Sequence, residues 1–243
     1  MSLKGKSVAI TGGGTGIGAG IARSLAMAGA KVIIGGRRLE KLTAFAATVD
    51  SERPIATCTL DVADNESIDQ FFATAQEHVG DIDILVNSAG INIVNRTMAD
   101  MDPEQWDEVM RVNATGAYRC MHKVLPAMRR RRDGLVVNIS SIAGKRAITL
   151  GGVVYCASKF AMTAMGTAVA NEVRMEGVRI TNVYPGEVNT PILDNRPTPV
   201  SQSHKDAILQ PEDIAAMVTT LCQLPPRAHV PEMVIKPTIQ EWV

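Results

Sequence analysis

A tyrosine and a lysine one helical turn apart are the first residues in this chain whose types and spacing could do chemistry. Tyr155 and Lys159 lie in YCASK, and the small and apolar residues that follow, FAMTAMGTAVANEV, predict a helix. Because residues four apart project from one face of a helix, the ammonium would stand beside the phenol. A nearby cation favours the phenolate and lowers the pKa of the tyrosine, which suits proton exchange near neutral pH. By spacing alone, an exposed pair on a helix surface is the simpler interpretation.

A glycine-rich loop near the start of the chain predicts a site for a nucleotide phosphate. TGGGTGIG follows the first apolar run and precedes a helical pattern. Its spacing, Gly12, Gly16 and Gly18, differs from the dinucleotide fingerprint G-x-G-x-x-G, and no Gly-Lys-Ser/Thr follows as in a P-loop. Glycines nevertheless let backbone N–H groups and a helix N-terminus approach a pyrophosphate. A tight connection without a ligand is the alternative.

Two arginines stand where a dinucleotide fold recognises the adenosine ribose. VIIGGRRLEKL ends its apolar run at Gly36, and Arg37 and Arg38 then open what we predict to be a helix, where the dipole disfavours cations. An acidic residue at this place accepts from the 2′-hydroxyl of NAD, whereas a guanidinium matches a 2′-phosphate. The pair therefore predicts NADP, with Arg37 as the main partner and Arg38 as the second, and with NAD less favoured. The alternative is that both arginines are solvated or stack on adenine without discrimination.

The elements that must position these groups alternate along the chain. Continuously apolar runs separated by helical patterns indicate a parallel sheet covered on both faces. The runs are residues 7–11, 31–35, 55–62, 82–90, 135–141, 179–186 and 233–238. We predict one α/β domain over residues 1–243, with a cofactor-binding half at about 1–140 and the catalytic helix and substrate loop at about 141–213. The substrate loop, residues 190–213 with four prolines, is expected to be a long irregular insert, either a lid or a plain surface loop.

Composition narrows the choice of partners and compartment. The 243 residues are 46% hydrophobic, and 25 Lys and Arg balance 25 Asp and Glu, which gives no general attraction to nucleic acid or an anionic membrane. The basic run Arg129–Arg132 is explained by a helix C-terminus before Gly134. The four cysteines form no CxxC pair and the histidines no metal-ligand pattern, so we expect reduced thiols, no metal and a cytoplasmic protein. The first apolar run is too short for a signal peptide, and no membrane span is expected.

Taken in order, the motifs of this chain resemble those of the short-chain dehydrogenase/reductase family. The matching segments are TGGGTGIG, NSAG at 87–90, Asn113 in VNATG, NISS at 138–141, YCASK and YPGEVNT at 184–190, and they span nearly the whole chain. The resemblance implies a Rossmann-type, doubly wound sheet of about seven parallel strands with helices on both faces. It also implies an oxidoreductase that acts on a carbonyl or alcohol with a nicotinamide cofactor.

The resemblance assigns four catalytic residues. Tyr155 would exchange a proton with the substrate oxygen, and Ser141 would hydrogen-bond that oxygen. Lys159 would hold the nicotinamide ribose and lower the tyrosine pKa, while Asn113 would anchor a water linked to Lys159. Since Ser141 lies 14 positions before Tyr155, slightly more than in many relatives, Ser140 is the alternative.

The resemblance also implies cofactor contacts along the chain. Asp61 and Val62 would contact the adenine ring, although a turn or cap role is the alternative for Asp61. Residues of NSAG would support the strands and contact the cofactor, and residues of YPGEVNT would close over the nicotinamide. With the two arginines, the expected cofactor-binding residues are Gly12, Thr15, Gly16, Ile17, Gly18, Asp61, Val62, Asn87, Ala89, Gly90, Tyr155, Lys159, Pro185, Gly186, Val188 and Thr190.

The substrate is expected between two segments that flank the catalytic helix. Gly151 and Gly152 would leave room for a small molecule, and the facing wall would carry Ile192, Leu193, Arg196 and His204. The arginine or the histidine could meet a carboxylate, but solvated loop charges are the alternative. The ending PEMVIKPT resembles members of the family that act on serine and 3-hydroxy acids.

Two further expectations concern assembly and function. Ala157, Ala161, Ala164 and Ala168 form a stripe of small residues on the catalytic helix, which indicates close packing on the sheet or across a subunit interface. The family usually assembles through this helix and the preceding long one, about 103–132, so a homotetramer or dimer is expected by resemblance. The leading function is NADP(H)-dependent conversion of a carbonyl and a secondary alcohol. A dinucleotide-binding redox sensor without turnover is the alternative, and the complete set of catalytic residues weighs against it.

Overall fold

The computed structural model of the protein describes residues 2–241. Their seven strands form one parallel sheet in the order β3-β2-β1-β4-β5-β6-β7, which confirms the predicted doubly wound α/β fold. The strands are β1 Ser7–Thr11, β2 Lys31–Gly36, β3 Ala56–Thr59, β4 Ile84–Asn87, β5 Gly134–Ile139, β6 Val178–Pro185 and β7 Glu232–Ile235. The single-domain organisation stays a prediction.

Helices cover both faces of the sheet. They are α1 Gly16–Met27, α2 Leu39–Ala46, α3 Asn65–His78, α4 Pro103–Met110, α5 Gly116–Arg131, α6 Val153–Val173, α7 Gln202–Ala207 and α8 Pro211–Gln223. Local signals fix several of their starts: the Asp64 carboxylate caps α3, and Asp102 with Gln105 forms a capping box around Pro103 at the start of α4. Each strand is thus joined to the next strand along the chain by a connection that contains at least one helix, as a parallel sheet requires.

The core consists of two apolar layers, one on each face of the sheet. Alternate residues of a strand point to opposite faces, so Ile10 packs with Leu25 in one layer while Ala9 packs with Phe71 in the other. All four of these side chains are fully buried. Burial of a large side chain such as Ile10, Leu25 or Phe71 contributes on the order of 1.5–3 kcal/mol to the free energy of unfolding. The two apolar layers together hold the strands in register.

Strand boundaries differ from the prediction mainly at β3 and β4. The sequence predicts strands over 55–62 and 82–90, but the ladders cover only Ala56–Thr59 and Ile84–Asn87. The apolar residues beyond these ends leave the sheet and line a cavity at its carboxyl edge. Apolar character alone cannot distinguish residues in a strand from residues that line a pocket.

The prediction of a long irregular insert is wrong in detail. Residues 190–213 contain a 3₁₀ turn at Pro191–Asn195, the short helix α7 and the start of α8. Its base is closed by a parallel bridge between Val188 and Leu209 and by the Asn189 N–H, which donates to the Leu209 carbonyl at 2.7 Å. Because residues 211–213 belong to α8, the name substrate loop is kept below for residues 190–209 alone. This segment is a folded excursion tied at its two ends.

The long helix before β5 is interrupted where the sequence places Asn113. Helices α4 and α5 are joined by a π-helical turn at Arg111–Thr115, in which the Gly116 N–H donates to the Arg111 carbonyl five residues back. Such single π-turns inside α-helices often mark functional sites, because the extra residue re-aims a side chain. The helix ends at Arg132, whose φ of 56° is left-handed. The basic run is bound to the chain itself: Arg129, for example, pairs with Glu172 and Glu176.

One helix meets the length and composition criterion for a membrane span, contrary to the sequence-based expectation. Residues Val153–Glu176, which are α6 and the turn after it, are long and apolar enough to cross a membrane. The core helix of a soluble protein meets the same criterion, and α6 packs on β5 and β6 through buried residues such as Met162 and Val173. Its length and composition therefore carry no membrane assignment.

The cysteines and the acidic residues form no metal site within residues 2–241, where no group of three or more His, Cys, Asp or Glu is close enough to hold an ion. All four cysteines are free, and three of them are buried. The prediction of mostly buried thiols is thus confirmed.

Candidate active site

A cavity of about 630 Å³ runs along the carboxyl ends of the strands. It extends from the glycine loop at the β1 end, past the start of α6, to the substrate loop. The sheet reverses its winding between β1 and β4, and such switch points are where open α/β sheets bind ligands. The cavity has room for a dinucleotide and a small substrate.

The glycine loop is shaped by contacts that no side chain could share. A Cβ at Gly18 would lie 2.3 Å from the Gly12 carbonyl oxygen, and one at Gly12 would lie 2.8 Å from the Ala89 Cα. Gly12 and Gly16 have φ of 68° and 55°, in the left-handed region that glycine adopts without strain. Thr15 is the N-cap of α1, so the first free N–H groups of that helix face the cavity. This cradle fits a pyrophosphate.

Positive charge lies at the nucleotide end of the cavity. Arg37 and Arg38 are both exposed and line it. The sequence predicted both arginines in the first turn of a helix, but α2 begins at Leu39 and Arg38 is its N-cap. The first turn instead contains Glu40, and Lys41 adds a third cation to the lining. The arrangement fits a 2′-phosphate, and Lys41 is a cavity residue that the sequence did not single out.

The segments after β3 and β4 form the floor of the nucleotide end. Asp61 and Val62 line the cavity, and the Asp61 carboxylate also accepts from the Ala63 N–H at 2.9 Å, which is the turn role considered as the alternative. Ala89 and Gly90 line the cavity as well. Asn87 does not: it is buried, and its side-chain amide donates to the Asn138 side chain at 3.0 Å. The side chain of Asn87 thus supports the strands, which is one of the two roles expected of it, and its contact with a cofactor stays a prediction.

Three of the four predicted catalytic residues meet at the centre of the cavity. Tyr155 and Lys159 project from the first two turns of α6, and Ser141, which follows β5, lines the same part of the cavity and lowers the pKa of Tyr155. Ser140, the alternative, is buried, and its hydroxyl donates to the Lys159 carbonyl at 3.2 Å. Ser141 is therefore the serine placed to act with the tyrosine.

The two ionisable groups of α6 are shifted by burial. Lys159 is 4% exposed, and burial lowers its pKa to about 8. Its ammonium donates to the Ile139 carbonyl at 2.8 Å and lies 5.7 Å from the centre of the Tyr155 ring. Burial raises the pKa of Tyr155, and the Ser141 hydrogen bond and the Arg96 charge lower it in part. Arg96 is thus a cation near the phenol that the sequence did not predict, and Lys159 stands beside the ring as predicted.

Asn113 is fixed by the backbone of the neighbouring loop. Its side-chain oxygen accepts from the Ile91 N–H at 2.8 Å, and its amide donates to the Ile91 carbonyl at 2.9 Å and to the Ser158 hydroxyl at 3.0 Å. Asn113 does not line the cavity, but Gly90 separates it from the Lys159 ammonium: a Cβ on Gly90 would be 3.5 Å from both side chains. The π-turn thus aims Asn113 at the loop that follows β4.

The segment after β6 closes the centre of the cavity. Pro185, Gly186, Val188 and Thr190 all line it, as predicted from YPGEVNT. Thr190 also touches the glycine loop, since a Cβ on Gly16 would lie 3.1 Å from the Thr190 side chain. The base of the substrate loop therefore packs directly on the nucleotide end. Ile17 of the glycine loop lines the cavity as well, as predicted.

The substrate end differs from the prediction at two residues. Ile192, Leu193 and Arg196 line it together with Gly151. Gly152 does not leave room for a substrate, because a Cβ there would lie 2.4 Å from the Arg96 Cβ. His204 does not line the cavity either, and its ring is 2.7 Å from the Glu187 carboxylate.

Two charged residues of the substrate end were missed by sequence reasoning. Arg96 is buried, lines the cavity and has no carboxylate partner among the described residues. Glu187 forms an ion pair with Arg196 at 3.0 Å and a hydrogen bond with the His204 ring at 2.7 Å. Burial would raise the pKa of Glu187, but the hydrogen bonds and charges of His204 and Arg196 hold it below its ordinary value. The sequence signals were slight: an arginine in a mixed segment after the fourth strand, and an acid directly after Pro-Gly.

Comparisons with known proteins find similarity along the chain. A family model described as short chain dehydrogenase matches residues 6–200. A farnesol dehydrogenase of Aedes aegypti is 34% identical over 244 residues, with 98% of each chain covered. The structure of an alcohol dehydrogenase from the archaeon Thermococcus sibiricus, complexed with 5-hydroxy-NADP, matches with a TM-score of 0.87 at 28% identity and covers 98% of this chain and 99% of that one. A 3-ketoacyl-(acyl-carrier-protein) reductase from Brucella melitensis complexed with NADH matches with a TM-score of 0.85 at 27% identity and covers 96% and 98%.

Proposed function

The chain belongs to the short-chain dehydrogenase family of oxidoreductases, and on that premise we propose that it interconverts a carbonyl compound and a secondary alcohol with NADP(H). One observation carries the proposal. Ser141, Tyr155 and Lys159 lie together on a cavity whose other end is the glycine loop, so a proton-transfer group and a dinucleotide cradle share one space. A protein that only senses the dinucleotide has no use for this set of residues.

Each residue has a distinct part in the reaction. The Tyr155 hydroxyl gives its proton to the substrate oxygen during reduction and takes it back during oxidation. Ser141, whose hydroxyl acts on the same part of the cavity as Tyr155, binds the substrate oxygen and stabilises the charge that develops on it. Lys159 would hold the ribose of a bound nicotinamide cofactor, and Asn113 fixes the nearby loop at Ile91. When bound, the nicotinamide supplies or accepts the hydride.

The preference for NADP is supported by charge at the nucleotide end. Arg37, Arg38 and Lys41 line the cavity beside Gly36, and a strand end that carries cations suits a 2′-phosphate better than a hydroxyl. The relative from Thermococcus sibiricus is complexed with an NADP derivative, and the one from Brucella melitensis with NADH. Relatives are thus found with both kinds of cofactor, and the three cations are the observation in this chain that supports NADP.

The assembly and compartment are proposed on the same family grounds. We expect a homotetramer or dimer formed through α5 and α6, and a cytoplasmic protein. Ala164 and Ala168 of the small-residue stripe are exposed, as is Phe160, so part of α6 is free to pack against another subunit. A solution mass equal to one chain would contradict the assembly.

The test of the function is oxidation of NADPH with a panel of aldehydes, ketones and keto acids. We expect turnover of at least one carbonyl class, and Tyr155→Phe should lower kcat by roughly 10²–10⁴-fold because the proton donor is lost. Its affinity for NADPH, measured by calorimetry, should stay near that of the wild type. Tyr118→Phe is the matched control, since Tyr118 is exposed on α5 away from the cavity.

Two results would overturn the proposal. Binding of NADPH without turnover on any member of the panel would favour the redox sensor. Turnover that survives in Tyr155→Phe at the level of Tyr118→Phe would remove the tyrosine from the mechanism.

A further inference from the structure

Arg96 is a buried cation with an unusual set of partners. It is 6% exposed, and its three nitrogens donate to backbone carbonyls: Nε to Ile93 at 2.9 Å, one terminal nitrogen to Leu150 at 2.7 Å and the other to Asn195 at 2.5 Å. Among the described residues no carboxylate pairs with it. An arginine buried without a counter-ion costs several kcal/mol of desolvation, so stability alone is a poor reason for its presence.

The three carbonyls belong to segments that are far apart in the sequence and meet at the reaction centre. Ile93 lies in the loop after β4, Leu150 precedes α6 by three residues, and Asn195 ends the 3₁₀ turn of the substrate loop. Leu150 and Asn195 are 54 and 99 positions from Arg96. One guanidinium thus links the start of the catalytic helix to the wall of the substrate end.

Further contacts reinforce the same junction. The Asn92 side chain donates to the Gly151 carbonyl at 3.1 Å, and the Asn195 side chain donates to the Asn92 carbonyl at 3.0 Å. The Val153 N–H, the first of α6, donates to the Arg96 carbonyl at 3.1 Å. Gly152 lets the two backbones approach, because a Cβ there would lie 2.4 Å from the Arg96 Cβ. Segment 92–96 therefore holds both neighbours by main chain and side chain.

We propose that Arg96 is a positioning residue for the reaction, which holds the substrate turn Pro191–Asn195 against the start of α6 and so sets the width of the substrate end beside Tyr155. The inference rests on the proposed function and adds to it a residue that acts through others. Because the guanidinium is planar and rigid, its fork fixes the two carbonyls of Leu150 and Asn195 relative to one another. A lysine would keep the charge but not this geometry.

The charge of Arg96 also reaches the reaction centre. The ionisable and polar groups that act on Tyr155 are Ser141 after β5, Cys156 and Lys159 on α6, and Arg96, while Arg196 with its partner Glu187 faces Arg96 from the substrate loop. Burial and the Arg196 charge lower the pKa of Arg96, and Arg96 lowers that of Tyr155. Loss of the guanidinium should therefore raise the apparent pKa of the phenol as well as loosen the loop.

The experiment compares Arg96→Met and Arg96→Lys with the matched control Arg179→Met. Arg179 also donates only to backbone carbonyls, those of Leu224 and Ala228, but lies outside the cavity. Hydrogen exchange is measured with NADPH bound and no substrate, and KM, kcat and the pH profile are measured with whichever carbonyl the panel identifies. The exchange measurement needs no turnover, so it decides the inference even if the proposed function fails.

Positioning predicts a selective effect. In Arg96→Met, hydrogen exchange should rise in residues 148–153 and 190–209 and not elsewhere. The substrate KM should rise about tenfold, with a smaller change in kcat. The limb of the pH–rate profile that reports ionisation of the Tyr155 phenol should move to higher pH. Arg96→Lys should restore the pH limb but not KM. Arg179→Met should lower the melting temperature without any of these changes.

A purely structural role for Arg96 predicts a different result. If Arg96→Met, or Arg96→Lys where the methionine variant does not fold, matches Arg179→Met in loop exchange and KM, Arg96 is a structural residue only and the inference is overturned. Absence of turnover in the wild type with loop exchange raised in Arg96→Met would overturn the proposed function and leave the positioning role supported.

Discussion

The two ends of the cavity are built in different ways. The nucleotide end consists mostly of backbone: a glycine loop, a helix N-terminus and the ends of β1 to β4, with cations only at its rim. The substrate end is held by the polar side chains Arg96, Glu187 and Arg196, and by His204 behind them, which are bound to one another or to distant carbonyls. A backbone cradle tolerates no side chain in the wrong place, whereas a network of side chains can be weakened one contact at a time. Substitutions at the two ends should therefore differ in kind and in size.

The largest effect is expected at the nucleotide end, from Gly18→Ala. The new Cβ would lie 2.3 Å from the Gly12 carbonyl oxygen, and because this neighbour is backbone, the loop must shift. We expect a loss of roughly 100-fold in NADPH affinity, in line with the cost of overpacking a rigid site. Calorimetric titration with NADPH measures it.

Gly36→Ala is the control at the same end. A Cβ there would meet only the Leu42 side chain, at 3.5 Å, which is an ordinary contact. Equal NADPH affinity in the two variants would show that the close approach at Gly18 is not needed for binding, and the distinction between a backbone cradle and a side-chain network would fail.

The next effect concerns the rim of the nucleotide end, where side chains and not backbone discriminate. Arg37→Ser should lower the affinity for NADPH about 10- to 100-fold and leave that for NADH nearly unchanged, since a hydrogen bond to a charged phosphate contributes about 1.5–3 kcal/mol. The ratio of kcat/KM for the two cofactors measures this. Arg53→Ser, at an exposed arginine that does not line the cavity, is the control. A wild-type ratio near one would refute the NADP preference at once.

The same contrast explains what the sequence could predict. The glycine loop, the cations after β2 and the Tyr155–Lys159 pair each depend on residues within a few positions of one another, so their spacing predicts their role. Arg96 and Glu187 acquire their role from partners far along the chain: Asn195 is 99 positions from Arg96, and His204 is 17 from Glu187. No local pattern marks such residues, and only the packed fold shows that they meet.

Errors in the prediction have the same origin. Gly152 was expected to leave space for a substrate, because glycine has no side chain. In the fold, that space is filled by Arg96. Lys159 was expected to act on the Tyr155 pKa from one helical turn away; its ammonium donates to the Ile139 carbonyl, and Arg96, which the sequence did not mark, adds a second cation that lowers this pKa. In both cases tertiary contacts, and not helix spacing, decide which groups interact.

The smallest effect is expected at the substrate end, from Glu187→Gln. The carboxylate joins Arg196 and His204, whose hydrogen bonds and charges outweigh burial and hold the pKa of Glu187 below its ordinary value of 4.5. Loss of one partly buried network of this kind should cost on the order of 1 kcal/mol, so the substrate KM should rise about three- to tenfold while NADPH affinity is unchanged. Steady-state kinetics with a carbonyl substrate measures both.

The pH dependence of stability separates this network from general loss of charge. A carboxylate whose folded-state pKa is lowered stabilises the fold above its ordinary pKa, and that contribution is lost as the pH falls through the folded value. The difference in unfolding free energy between wild type and Glu187→Gln should therefore be full at pH 7 and shrink below about 4.5. Glu232→Gln is the control: the pKa of Glu232 is likewise held low, by Lys145 and Tyr184, and it lies outside the cavity, so its variant should show the same pH trend with KM unchanged. If the substrate KM rises equally in both variants, the substrate loop depends on the overall stability of the fold and not on Glu187. The substrate end is then not a network of contacts that can be weakened one at a time.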